Sequence, residues 1–222
     1  MNAPALTDGR VVIDYYFSVL SDWAYMGGER FECLARKYNA RVNHFPMKLA
    51  QLYANTGGIV LQKRSQQRQD YRVIELERWR DRLGMPITLH PAHYPTDDTL
   101  AACSIIVAPQ FGIDAGRLAN IIHRAIWAEE QNVADAATML RLIGAVTSHP
   151  EAVLEAARSS AAAEILERNT REAADRGVFG SPFYILEGQI YWGQDRLDFL
   201  EDQLAKATSR RPVAELAPSQ KG

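Results

Sequence analysis

The sequence predicts an α/β fold, with strand-forming segments at the two ends of the chain and an all-helical stretch, residues 51–176, inserted between them. Three observations point there. Val11-Val12-Ile13-Asp14-Tyr15-Tyr16-Phe17 is dense in β-branched and aromatic residues, as a buried strand is. From Gln51 to Arg176 no strand pattern survives and the chain reads as helical. The strand signal returns at Phe183-Tyr184-Ile185-Leu186 and Gln189-Ile190-Tyr191-Trp192, with Glu187-Gly188 between them as the turn of a tight hairpin.

Taken in order, the first strand breaks at Ser21 into a helix whose Trp23, Met26, Phe31, Leu34 and Ala35 share one face. Tyr38-Asn39 ends it, and Arg41 to Phe45 alternates as a second strand. So short a β-α-β run implies parallel neighbours with a right-handed crossover. A Thr56-Gly57-Gly58 loop follows. A charged helix then runs from about Lys63 to Leu83, stopped by Gly84 and Pro86. Thr88 to Pro95 is extended and proline-punctuated. Further helices are expected to start near Asp98, Asp114, Asp135, Pro150 and Ser160. Val178 to Pro182 reads as a turn entering the hairpin, and a last helix is expected from Asp195 to about Ala207, with Leu197, Leu200 and Leu204 inward. This order, β-α-β, a helical block, then β-β-α, is that of a thioredoxin-like domain carrying an insertion. The discontinuous thioredoxin-like domain would comprise 11–50 and 177–208, the helical domain 51–176, and 1–10 with 209–222 frayed tails.

Composition narrows the function. A net charge of -2 argues against nucleic acid or an anionic membrane as the partner. Only Cys33 and Cys103 occur, with no C-x-x-C and no zinc spacing, which fits a reducing cytoplasm. His90 and His93 have Pro91 between them and lack a third ligand at a recognisable spacing, so no metal site is expected. The longest apolar run, around Ala101 to Ala108, is too short to span a bilayer. The first ten residues carry no apolar run of the secretory kind. A soluble, cytoplasmic protein acting on a small molecule is the expectation.

Four positions draw attention, each with two readings. Ser21 is a natural N-cap, and its hydroxyl at a helix N-terminus would also help hold a thiolate. It has no adjacent His/Asp pattern and no G-x-S-x-G, so any nucleophile must be brought in. Ser181-Pro182 is either an ordinary trans turn or a cis bond that turns the backbone of Ser181 outward toward a peptide-like ligand. Asp195, after Gln194, either caps the last helix or binds a ligand's ammonium beside free helix amides. The basic and acidic residues from Lys63 to Arg82 read as a solvated helix face, whose N-terminal end has the further option of supplying positive charge to an anionic substrate. Tyr71 and Trp79 on that helix are expected to pack inward.

Together these segments resemble the 2-hydroxychromene-2-carboxylate isomerase family, whose fold is DsbA-like and which is related to kappa-class glutathione transferases. The resemblance spans roughly Val11 to Lys206. It rests on the D-Y-Y-F-x-x-L-S run ending at Ser21, the T-G-G loop at Thr56, and Glu75 to Trp79 with Gly84-Met85-Pro86. It continues through Val178-Phe179-Gly180-Ser181-Pro182 and Trp192-Gly193-Gln194-Asp195-Arg196. It implies a homodimer that uses glutathione for cis–trans isomerisation of an unsaturated aromatic pyruvate-type acid in aromatic compound degradation. Sulfur addition to the conjugated double bond would let that bond rotate, and elimination would restore it. Ser21 then takes the place of the first cysteine of thiol oxidoreductases. Ser181 precedes a cis Pro182 whose neighbouring backbone pairs with the cysteinyl moiety, and Gln194 with Asp195 holds the γ-glutamyl end. Lys48, Gly57, Gly58, His93 and Tyr94 are candidates for lining the substrate. Two departures stand out. Asp22 occupies a position where the family often has proline, so its carboxylate must point away from the thiolate or be neutralised. Gly58 replaces the asparagine of a T-G-N loop and removes a ligand-contacting amide. The alternatives are a kappa-like conjugating glutathione transferase and a non-catalytic ligand-binding homologue. Ser21 and Ala24 at both redox positions exclude a disulfide oxidoreductase.

Overall fold

The computed structural model describes residues 9–210. Most of both expected tails lies outside them, although the last helix continues through Ser209. Four strands form one sheet in the order β2-β1-β3-β4. β1 (Val12–Phe17) pairs parallel with β2 (Arg41–Pro46) and antiparallel with β3 (Phe183–Leu186). β3 forms the hairpin with β4 (Gln189–Trp192). Its turn residues Glu187 and Gly188 both have positive φ, 50° and 79°, the geometry that an x-Gly two-residue turn supplies.

α1 (Asp22–Lys37) is the crossover between β1 and β2. The helical segment comprises α2 (Leu49–Thr56), α3 (Gln66–Leu83), α4 (Thr99–Val107), α5 (Ala115–Trp127), α6 (Ala136–Gly144), α7 (Pro150–Ala157) and α8 (Ser160–Asp175). α9 (Leu197–Ser209) closes the chain after a short 3-10 turn at Gln194–Arg196, and buries Leu197, Leu200 and Leu204 as their spacing requires. Among the described residues, no helix is long and apolar enough to cross a membrane.

The alternation of β1 sends its side chains to two cores. Ile13, Tyr15 and Phe17 join Phe31 of α1, Tyr184 and the buried faces of α4 to α7 in the larger one. Tyr15 stacks on Tyr184 at 5.1 Å and on Phe17 at 4.5 Å. Tyr16 turns the other way, to Met47, Leu52 of α2, Ala173 of α8, Phe183 and Ile185. α4 and α8 touch β2, and α5 lies along α1, so the helical segment shares the sheet's core.

Two local expectations are corrected. Thr56, expected as the first residue of a Thr56-Gly57-Gly58 loop, is instead the last residue of α2, and Gly57 ends that helix in the left-handed region at φ 77°. Tyr71 does not pack inward but is 57% exposed, while Trp79 is packed against the larger core.

Candidate functional site

Ser21 sits where β1 gives way to α1. Its extended backbone (φ -94°, ψ 114°) and an Oγ that accepts from the Ala24 N–H at 3.2 Å make it the N-cap of α1. The same oxygen donates to the Ser181 carbonyl at 3.3 Å, long for a hydroxyl donor, so the proton is available to a better acceptor. From the other direction the Ser18 N–H donates to Ser181 Oγ at 2.9 Å. The Ser181–Pro182 bond is cis. The Pro182 carbonyl accepts from the Gly193 N–H at 2.9 Å, which ties the turn carrying Gln194 and Asp195 to the same peptide. Thus the two distant segments are joined by side-chain and backbone bonds, and Ser18, Ser21 and Ser181 are all buried.

A cavity of about 410 Å³ opens against these residues, within the range of small-molecule sites. Ser18, Ser21 and Ser181 form one part of its wall. Lys48, Tyr53 of α2, Arg64, Arg72 of α3, Tyr94 and Asp98 form much of the rest. Of the residues expected from sequence, Ser21, Ser181, Lys48 and Tyr94 line it. Pro182, Gln194 and Asp195 do not line it; they are linked to Ser181 only through the chain and the Pro182–Gly193 bond above. Gln194 is buried with its Oε1 accepting from Arg30 at 2.7 Å, and Asp195 pairs with Arg196 at 3.0 Å. Gly57, Gly58 and His93 do not line the cavity, and His93 is exposed.

Gly58 nonetheless shapes the wall. A Cβ there would lie 2.0 Å from the Tyr53 ring, so the absence of a side chain at this position makes room for a cavity-lining tyrosine. Gly58→Ala is expected to cost about 1–3 kcal/mol in urea unfolding, the scale of overpacking. Adding Tyr53→Ala should recover part of that loss, and an unchanged midpoint in Gly58→Ala would contradict the close approach.

The carboxylate of Asp22 is buried beside Ser21 and forms an ion pair with Arg72, whose guanidinium also lies 5.8 Å over the Trp127 ring. Burial pushes the Asp22 carboxyl above its ordinary range, and Arg72 and the Trp23 N–H oppose that push. The carboxylate is therefore neutralised by a partner rather than turned away. Lys48 is likewise paired, with Glu167 at 2.9 Å. Behind the site His123 is buried, its Nε2 3.4 Å from the Ser18 carbonyl, and burial pushes it down to about 4, so it is neutral at pH 7.

Asp98 stands at the N-cap position of α4 without capping it. Burial, with Asp97 adding to it, pushes its carboxyl from 3.8 up to about 6, against its own backbone N–H and Lys48. A folded state that holds the proton more tightly gains from Asp98 below the unfolded value, and loses that gain as pH rises through about 6. Asp98→Asn should therefore stabilise the protein at about pH 8, by up to ~3 kcal/mol, and barely change it at about pH 3.5. Equal effects at both pH values in denaturant titrations would contradict this.

A family described as DSBA-like thioredoxin domain matches residues 12–205. The chain belongs to this family. Within it, the chain is 27% identical to the 2-hydroxychromene-2-carboxylate isomerase of Pseudomonas putida over 199 residues, covering 88% of this chain and 95% of the relative. It is 28% identical to the Sphingobium xenophagum protein of the same name over 194 residues, 86% of this chain and 97% of that one. A solved 2-hydroxychromene-2-carboxylate isomerase superposes with a TM-score of 0.78 at 25% identity, over 88% of this chain and 95% of its own. The resemblance expected from the motifs is borne out. The head of α1 carries no thiol, since Ser21 and Ala24 stand there and Cys33 and Cys103 lie elsewhere. Ser18, Trp23, Tyr53 and Asp98 are among the wall residues that sequence reasoning missed. Arg64 and Arg72 appeared there only as part of a charged helix. The signal that existed for them was the option that the helix's N-terminal end faces an anion.

Proposed function

We propose that this protein catalyses glutathione-dependent cis–trans isomerisation of an unsaturated aromatic pyruvate-type acid, in the degradation of aromatic compounds. The observation that carries the reading is the Ser21 hydroxyl, held at the N-cap of α1 against the cavity and only weakly engaged with Ser181. The residues present suit the thiol end of glutathione. Ser21 offers an O–H, and the N-terminus of α1 favours negative charge. Pairing with Arg72 cancels the neighbouring carboxylate. Bound there, glutathione would supply a sulfur nucleophile for reversible addition to the conjugated double bond.

The chain's own residues would do the rest. Ser21 would donate to the sulfur and hold its charge near neutral pH. Ser181, set by the cis bond, would present its backbone to the cysteinyl portion. Gln194 and Asp195, tied to Pro182 through Gly193, would meet the γ-glutamyl end. Lys48 and Tyr94 are donors on the cavity wall for the oxygen that gains charge while the double bond is interrupted.

Calorimetry with glutathione tests the cofactor, and no heat of binding at millimolar concentration would reject it. Turnover of a cyclic hemiketal acid tests the reaction. Accumulation of a stable thioether in place of an isomer would make the protein a conjugating transferase instead.

A further inference from the structure

Three cations, Lys48, Arg64 and Arg72, line the cavity. Two have carboxylate partners, Glu167 for Lys48 and Asp22 for Arg72. Among the described residues no carboxylate lies within ion-pair distance of Arg64. Its guanidinium is nevertheless held in place. Nε donates to the Ile59 carbonyl at 2.8 Å and Nη2 lies 3.4 Å from the Tyr53 hydroxyl. Nη1 has no protein partner among the described residues.

This arrangement has a chemical meaning. A guanidinium that is partly removed from water and fixed by neutral oxygens keeps its full charge and some unfilled donors. A carboxylate is the anion whose geometry matches that fork. The surroundings narrow the ligand further. The rings of Trp23, Tyr53 and Tyr94 line the same cavity, so the anion's body is expected to be flat and apolar. Burial pushes the pKa of both tyrosine hydroxyls above the ordinary value, so they remain neutral donors that do not repel an anion. Asp22, a carboxylate of the same wall on which Arg64 also acts, is paired with Arg72.

We infer that Arg64 is the carboxylate anchor of this cavity and selects aryl-substituted acids over their uncharged analogues. The inference rests on the function proposed above, in which the substrate is such an acid. Glutathione carries a carboxylate at its glycine end, so the same chemistry has two sources.

The test leaves glutathione out of its main arm. Benzylidenepyruvate and its primary amide are titrated calorimetrically into wild type, Arg64→Gln and Arg64→Lys. The acid should bind wild type at least ~10-fold more tightly than Arg64→Gln, the scale of one charge-assisted bond, with Arg64→Lys between them. The amide should bind wild type and Arg64→Gln alike, which also shows that the cavity of the variant is intact. A second arm titrates glutathione alone. If Arg64→Gln weakens glutathione and leaves the acid unchanged, the selection of aryl acids is overturned and the ligand of Arg64 is the glycine carboxylate. Equal affinities of wild type and Arg64→Gln for both ligands overturn the anchor and leave the isomerase reading untouched. Wild type that binds the acid through Arg64 but not glutathione rejects the cofactor and keeps the anchor.

Discussion

Ser21→Ala is expected to lower turnover by about 10- to 100-fold while leaving the fold in place. The magnitude follows from what the hydroxyl would do. A hydrogen bond to a charged group contributes roughly 1.5–3 kcal/mol, and each 1.36 kcal/mol is about tenfold in rate. The stability cost is separate and smaller, ~1 kcal/mol for an N-cap. Ser159 provides an internal control, because its Oγ caps α8 by accepting from the Ala162 N–H at 3.2 Å. It does not line the cavity. Ser159→Ala should lose a similar amount of stability and no activity. Ser21→Thr keeps both the cap and the donor and should retain most of the rate. If Ser21→Ala and Ser159→Ala behave alike in both assays, Ser21 is a cap and nothing more.

Arg72→Met should cost about 3–5 kcal/mol, which is the effect of leaving a buried charge without its partner. Asp22 is 5% exposed, so its carboxylate depends on the guanidinium rather than on bulk water. The variant can escape by protonating Asp22, whose carboxyl burial already pushes upward. The sign of the pH effect follows. Without Arg72 the folded-state value rises further above the unfolded one, so the deficit should shrink in acid and grow as pH rises. Combining Arg72→Met with Asp22→Asn should restore most of the loss, because no unpaired charge remains. A cost below ~1 kcal/mol for Arg72→Met, or no recovery in the double variant, would show that the pair does not carry this energy.

These two residues also show where the sequence was readable. Ser21 was legible because a strand signal ends there and a helical period begins, and local rules govern both. The β3–β4 hairpin was legible for the same reason, as Glu187-Gly188 can adopt the two positive φ values. The helix starts at Asp114 and Asp135 were signalled by residues whose side chains do cap, with bonds of 3.0 and 2.8 Å. α2 gave no such signal. Lys48 at its start makes no side-chain cap, and Leu52 is its only buried residue. Arg72 illustrates the harder limit. Periodicity located α3, but a highly charged helix leaves its rotation undetermined. The structure turns Arg72 and Leu76 inward and leaves Tyr71 exposed, the reverse of what residue type suggests. The partner that decides it, Asp22, lies on α1, and no local rule connects two helices. The same holds for Arg64 and Tyr53, whose roles depend on how the chain between α2 and α3 folds back over Gly58.

The central claim is that Ser21 and the head of α1 hold a sulfur anion delivered by glutathione. The ultraviolet thiolate band of the glutathione complex, titrated against pH with the band of the free protein subtracted, tests it most directly. In Ser21 protein the bound thiol should ionise about 1–2 pH units below the ordinary thiol value of ~8.5, and Ser21→Ala should remove most of that shift. A bound thiol that ionises as it does in free solution, in wild type and Ser21→Ala alike, would contradict the account.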